Sequence, residues 1–223
     1  VNPKMSCRAP RGGYRLVLFD LDGTLVDTMG EYARLAAKLL SSNGIMNYDE
    51  AYIAYLETAG RPFIDQLKVL GVREPVAAKL NQAFIEGKRD IIKRTRMLPI
   101  TRQFLAELRD RGYLLATSTN NECELVAHVD GIDELHLVLC FDGAHHRKGR
   151  PHLETLKLLL GVGESEIVFV GDSEYDIQVY QQLHVHTIKT QGLFTTHEIN
   201  RVRRIILRGE SESLEPNDCI RPP

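Results

Sequence analysis

The chain reads as a parallel, doubly wound α/β protein whose first strand is followed by an all-helical insert. Short apolar runs (Leu16 to Phe19, Tyr113 to Ala116, Leu135 to Phe141, Glu166 to Val170, His184 to Ile188) alternate with amphipathic stretches. Strands that alternate with helices in this way pair into a parallel sheet. Between Asp27 and Met97 there is no good strand signal, only helix-spaced apolar residues. Two of the apolar runs end abruptly in carboxylates, Asp20-Leu-Asp22 and Gly171-Asp172, at the strand ends where open α/β sheets place their ligands.

Each element follows from local pattern. Residues 1–13 read as a disordered leader. Leu16 to Phe19 is uninterruptedly apolar, as a strand covered on both faces must be. Glu31 to Leu40 carries Leu35, Ala36 and Leu39 at helical spacing and is stopped by Asn43-Gly44. Tyr52 to Leu56, Phe63 to Leu70 and Pro75 to Ile92 continue the helical insert, with breaks at Gly60-Arg61-Pro62 and Gly71. Thr101 to Arg109 is a helix returning to the sheet, ended by Gly112. Tyr113 to Ala116 is a strand leading into the polar loop Thr117-Ser118-Thr119-Asn120-Asn121. Leu135 to Phe141 forms the third core strand, and Leu153 to Leu160 an amphipathic helix closed by Gly161. A strand to Val170, a helix opening near Asp172, a strand from His184 to Ile188 and a helix from Arg201 to Leu207 complete the core. Residues 210–223 are polar, carry prolines and read as a mobile tail.

Composition narrows the function classes. At 223 residues with 43% hydrophobic content, the chain can bury a sizeable core as one domain or as a core with a smaller insert. A net charge of −2 gives no electrostatic case for nucleic acid or an anionic membrane. No apolar stretch approaches the ~20 residues of a transmembrane helix. The positive charges near the N-terminus are not followed by an apolar segment, so no secretory signal is expected. Cys7, Cys123, Cys140 and Cys219 show no paired spacing. Reduced thiols in a cytoplasmic protein, monomeric or homodimeric, are therefore expected.

The acidic strand tips carry the chemistry. Adjacent carboxylates repel and are costly to desolvate, so Asp20 and Asp22 call for a cation or a proton-transfer task. Asp172 repeats the pattern, and Asp176, four residues on, shares a face with it if a helix starts there. Oxygen ligands from different strands suit a hard cation such as Mg²⁺, which keeps waters and bridges to phosphate. Hydroxyls, amides and N–H groups in the loop from Thr117 offer donors to phosphate oxygens. Lys148, in Arg147-Lys148-Gly149-Arg150-Pro151, can set a positive charge against a phosphoryl group.

Together these segments resemble the haloacid dehalogenase superfamily, mostly phosphatases, and within it the helical-cap subfamily of phosphoglycolate phosphatases and β-phosphoglucomutases. The resemblance runs from Arg15 to about Ile199. It implies a Rossmann-like core (1–27 and 98–223) and a cap over 28–97. Asp20 matches the family's nucleophile and Asp22 its general acid. Thr117 matches the phosphate-binding hydroxyl, with Ser118 and Asn120 beside it, and Lys148 the basic third motif, although the usual first proline there is Gly149. Asp20 and Asp172 would hold Mg²⁺ through their side chains and Asp22 through its backbone carbonyl, with Asp176 behind them. The implied activity is hydrolysis of small phosphomonoesters (phosphoglycolate-like, sugar phosphate or nucleotide) through an aspartyl-phosphate. A carboxylate at Asp22 argues against a dehalogenase, and Tyr32, where β-phosphoglucomutases carry histidine, argues against a mutase. A phosphotransferase or a non-catalytic binder of phospho-ligands remains the alternative. Lys38 and Lys68 are the obvious lysines of the insert but match no Schiff-base context. Arg61 could read an anionic group of the substrate by its planar fork.

Overall fold

The computed structural model describes residues 13–208. The leader before Gly13, the tail after Arg208, and with them Cys7 and Cys219, lie outside the described residues. β1 (Leu16–Phe19) is fully buried, and its side chains alternate between two cores. Leu16 and Leu18 pack with Leu153, Leu156, Ile177 and Tyr180. Val17 and Phe19 join Phe104, Leu105, Val202 and Ile206 on the opposite face. A strand covered on both sides has no polar face to present, which is why the run is apolar throughout.

β1 is the middle of a five-stranded parallel sheet. The other strands are β2 (Leu114–Glu122), β3 (Leu137–Phe141), β4 (Ile167–Gly171) and β5 (His186–Lys189), in the order β3-β2-β1-β4-β5. The chain winds outward from β1 to β3, then crosses back to β4 on the other side of β1. The winding reverses there, and a crevice opens beyond the strand ends. Phe19 is level with both Thr117 and Val170, so Asp20 leaves β1 beside Ser118 of β2 and next to the end of β4 at Gly171.

Between β1 and β2 lie α1 (Met29–Ser42), α2 (Tyr48–Glu57), α3 (Phe63–Val69), α4 (Val76–Lys93) and α5 (Pro99–Asp110). The first four pack on one another around Tyr32, Tyr55, Phe63 and Phe84, with the rings of Phe63 and Phe84 stacked at 4.1 Å. Asn47 caps α2 by accepting from the Glu50 N–H at 2.9 Å. Pro99 opens α5, where a missing N–H costs nothing. The remaining helices are α6 (Cys123–Val126), α7 (Arg150–Leu160), α8 (Glu174–Gln182) and α9 (Thr196–Arg208).

Two expectations are corrected. β2 does not end at Ala116: it runs on to Glu122, because hydroxyl side chains satisfy themselves inside the strand. Thr117 donates to the Phe19 carbonyl at 3.0 Å, and β-branched threonine fits a pleated surface well. Cys123 and Cys140 are not free thiols but form a disulfide. Their spacing of 17 carries no pairing signal, yet the β2–β3 ladder, with Glu122 opposite Phe141, sets them side by side.

Behind the crevice Ser118, His152 and Tyr180 form a buried polar cluster. The serine hydroxyl lies 2.7 Å from His152 Nδ1 and 2.6 Å from the Tyr180 hydroxyl. Burial, and then the neighbouring His146, push the His152 pKa down to about 4. Between about pH 6.5 and 4 the unfolded imidazole binds a proton that the folded one refuses, so this site's stability is lost as pH falls. Relative to a His152→Gln variant, the wild-type protein should lose about 3 kcal/mol between pH 7 and pH 4. Denaturant titrations of both proteins at a series of pH values measure this, and a pH-independent difference would refute it.

Candidate active site

The strand tips converge as their registers require. Lys148, on the turn before α7, reaches into the crevice and donates to Asp20 Oδ1 at 2.6 Å and to Asp176 Oδ2 at 2.9 Å, with its side chain only 6% exposed. Burial opposes the lysine's charge, but Asp176 and Asp20 outweigh it and hold the ammonium above its usual pKa. Burial also raises Asp20 well above the carboxylate range. Lys148 opposes that rise, while Asp176 and Asp172 add to it. Asp172 is raised to about 6, first by burial, against the pull of Lys148. Asp176 is anchored at the start of α8, where its N–H and Oδ2 both bond Ser173 Oγ.

Asp22 points elsewhere. Its carboxyl accepts from Thr28 Oγ1 at 2.6 Å and from Asn121 Nδ2 at 2.7 Å, bonds that fix its direction. Thr28 can donate or accept, so the pair tolerates either protonation state of Asp22. Asn120 is a bracket between core and insert: its Oδ1 accepts from the Lys148 N–H at 3.0 Å, and its Nδ2 donates to the Gly60 carbonyl at 3.4 Å.

Asp20, Asp22, Lys148, Asp172, Asn120 and Arg61 border one small cavity of about 60 Å³. Thr117 and Ser118 do not reach it. Thr117 is spent on the Phe19 carbonyl and Ser118 on His152 and Tyr180, and Thr119 lines the cavity instead. Ser118 is level with Asp20, one step past the Phe19–Thr117 pair; that register, invisible in the sequence, was the missing signal. Arg61 sits at the rim, its guanidinium 4.8 Å above the Tyr175 ring. His146 bonds Thr155 and the Cys140 carbonyl and takes no part in the site.

Lys88 was not expected in the wall, where Tyr32 and Asn121 stand beside it. Lys88 of α4 is half-buried, bonds Asn121 Oδ1, and holds its ammonium 4.6 Å over the Tyr32 ring. Its stem lies on the insert's inner face, whereas Lys38 is exposed and Lys68 pairs with Asp65. Burial lowers the Lys88 pKa, against the pull of Asp22. Among the described residues the buried Tyr32 hydroxyl has no hydrogen-bond partner, and Asn121 holds Asp22.

Among the described residues no three acidic, histidine or cysteine side chains gather as a metal cage. The Asp22 carboxyl is committed to Thr28 and Asn121. The donor set otherwise fits a hard cation. Two desolvated carboxyls, Asp20 and Asp172, line the same chamber, and the buried Asp176 Oδ1 has no hydrogen-bond partner among the described residues. Gly23, at φ +74, lets the turn after β1 close on this pair: a Cβ there would lie 2.3 Å from Asp172 Oδ2.

Comparison with known proteins identifies the family. The sequence profile of the haloacid dehalogenase-like hydrolase family matches residues 17–190, so the chain belongs to that family. The reading of a phosphoric monoester hydrolase accords with its named relatives. A phosphoglycolate phosphatase of Photorhabdus laumondii is 27% identical over 220 residues, covering 93% of this chain and 88% of the relative. An N-acetylmuramic acid 6-phosphate phosphatase of Pseudomonas aeruginosa is 24% identical, covering 74% and 76%. In fold, a haloacid dehalogenase-like hydrolase of Streptococcus pneumoniae superposes with a TM-score of 0.66 at 16% identity, covering 85% of this chain and 90% of its own.

The insert closes on the core at Gly60, whose φ is +89 and whose added Cβ would lie 2.2 Å from Ser173 Oγ. Gly44 has φ +66 but open space around it. Gly60→Ala should therefore cost at least about 1 kcal/mol more than Gly44→Ala, roughly 2–4 °C in Tm. Calorimetry of the two variants decides it: equal shifts would mean that the Gly60 contact holds nothing together.

Proposed function

We propose that this protein is a Mg²⁺-dependent phosphatase that hydrolyses small phosphomonoesters through an aspartyl-phosphate at Asp20, with residues 28–97 serving as a cap over the site. One observation supports this above the others: Asp20 is held by Lys148 at the sheet's switch point, with Asp22 two residues on and oriented by its own partners. A site that only bound phosphate would gain nothing from an oriented carboxyl at Asp22.

In the first step an Asp20 oxygen forms a bond to phosphorus as the ester P–O bond breaks, and the leaving oxygen takes the Asp22 proton. In the second, water attacks phosphorus, gives a proton to Asp22 and frees Asp20 and inorganic phosphate. Lys148 neutralises part of the charge gathered between nucleophile and phosphoryl group, and Asp176 keeps the lysine aimed. Mg²⁺, held by Asp20, Asp172 and the Asp22 carbonyl, would supply the remaining charge neutralisation. Thr119 and Asn120, at the end of β2, would hold the phosphoryl oxygens.

Tyr32 supports hydrolysis over mutase chemistry, since a buried phenol whose pKa is pushed well up by burial and by Asp22 is a poor proton carrier at neutral pH.

Asp20→Asn should abolish turnover of every phosphomonoester while leaving the unfolding midpoint measurable. Unchanged activity in that variant would refute the covalent route. Asp22→Asn should lose about 10²–10⁴-fold in rate on alkyl phosphates and less on p-nitrophenyl phosphate, whose leaving group barely needs a proton. An equal loss in the phosphorylation step for both would remove Asp22 from the acid role. Chelation by EDTA should stop turnover, and Mg²⁺ should restore it.

A further inference from the structure

A second cavity, of about 400 Å³, adjoins the first and shares Arg61, Lys88, Asn120 and Asn121 with it. The two differ in kind. The 60 Å³ chamber has room for the reacting group alone, while the larger one lies in the range of pockets for drug-sized ligands. A two-carbon acid would leave most of it empty.

The lining says what would fill it. Ile64 and Ile85 of the insert and Phe141 of β3 are only half-buried, with apolar surface turned to this space. The stacked Phe63 and Phe84 rings stand beside them. Apolar and aromatic groups around a concave space with a few convergent polar groups are the mark of a ligand site for a flat organic group. The charge is one-sided. Its acids are already paired, Asp65 with Lys68 at 3.1 Å and Glu122 with Arg89 at 3.6 Å, which leaves Arg61, Lys88 and Arg147 facing the cavity.

We propose that this cavity is the leaving-group site and that the preferred substrates are phosphomonoesters of bulky, ring-bearing alcohols rather than of two-carbon acids. The assignment rests on the phosphatase reading. The ring lies against Ile64, Ile85 and Phe141, and Lys88, bonded to Asn121 where the two cavities meet, takes an anionic or acceptor group of the alcohol near the ester oxygen.

The chain holds no tryptophan, so Ala144→Trp places a single indole on an exposed loop at the cavity wall. Binding is read with that variant in the Asp20→Asn background, and turnover with the wild type and with Ile85→Trp. The probes are 2-phosphoglycolate, 1-naphthyl phosphate and uridine 5′-monophosphate.

The wild-type kcat/KM should be at least about tenfold higher for a ring-bearing ester than for 2-phosphoglycolate. That ratio should fall by about tenfold or more in Ile85→Trp, and the ring-bearing esters should quench the introduced indole. If 2-phosphoglycolate is turned over best and Ile85→Trp leaves the ratio unmoved, the cavity assignment fails and the phosphatase reading stands. Quenching by ring-bearing esters without turnover of any probe would keep the cavity and overturn the phosphatase reading. Neither turnover nor quenching would overturn both.

Discussion

A single ammonium group, Lys148 Nζ, ties together the three segments that make the site. It arrives from the turn before α7, meets Asp20 at the end of β1, and meets Asp176 on the first turn of α8. A charge this buried is tolerable only when paired, and paired here it is. Removing either partner would strand the other charge in a dry pocket, at a cost of about 3–5 kcal/mol. The bracket therefore sets the spacing of β1, α7 and α8 and the direction of the Asp20 carboxyl at once. Two ammonium groups, Lys148 and Lys88, still face four carboxyls, Asp20, Asp22, Asp172 and Asp176. On the proposed reading a divalent cation would relieve that imbalance.

The second tie runs between core and insert. Asn120 holds the Lys148 N–H with its oxygen and the Gly60 carbonyl with its nitrogen. One amide thus aligns the basic residue of the core with the loop of the insert that roofs the chamber. Gly60 is the residue type that permits the approach, since any Cβ would meet Ser173, the same serine that caps α8 and touches Asp176. Closure over the chamber and the aim of Lys148 share partners, so the site is complete only when the insert is seated.

Much of this was legible in the residues. Unbroken apolar runs gave the buried strands, helix spacing gave the insert, and acids at strand tips located Asp20, Asp22, Asp172 and Asp176. What failed were features that depend on register and on distant neighbours. The end of β2 was misread because Thr117 and Ser118 look like loop residues until their hydroxyl partners, the Phe19 carbonyl and the His152–Tyr180 pair, are known. Lys88 was overlooked among exposed lysines because only the packing of α4 on α1 turns it toward Tyr32. Cys123 and Cys140 were read as free because a parallel β2–β3 pairing, not sequence spacing, brings them together.

The division between the two cavities follows from the same architecture. Strand tips are fixed by a ladder of backbone hydrogen bonds, so the groups they carry hold one small, invariant piece of substrate. The insert is fixed by side-chain packing around Tyr55, Phe63 and Phe84, with a short backbone bridge from Arg96 to Asp130 at its C-terminal end. Its inner wall can change by substitution at Ile64 or Ile85 without shifting Asp20 or Lys148. Lys88 is the exception, because its bond to Asn121 links the insert's wall to the partner of Asp22. A leaving group that displaced Lys88 from Asn121 would loosen the Asp22 carboxyl at the moment its proton is needed. On the proposed mechanism, recognition of the alcohol and protonation of its oxygen would be coupled through that one amide.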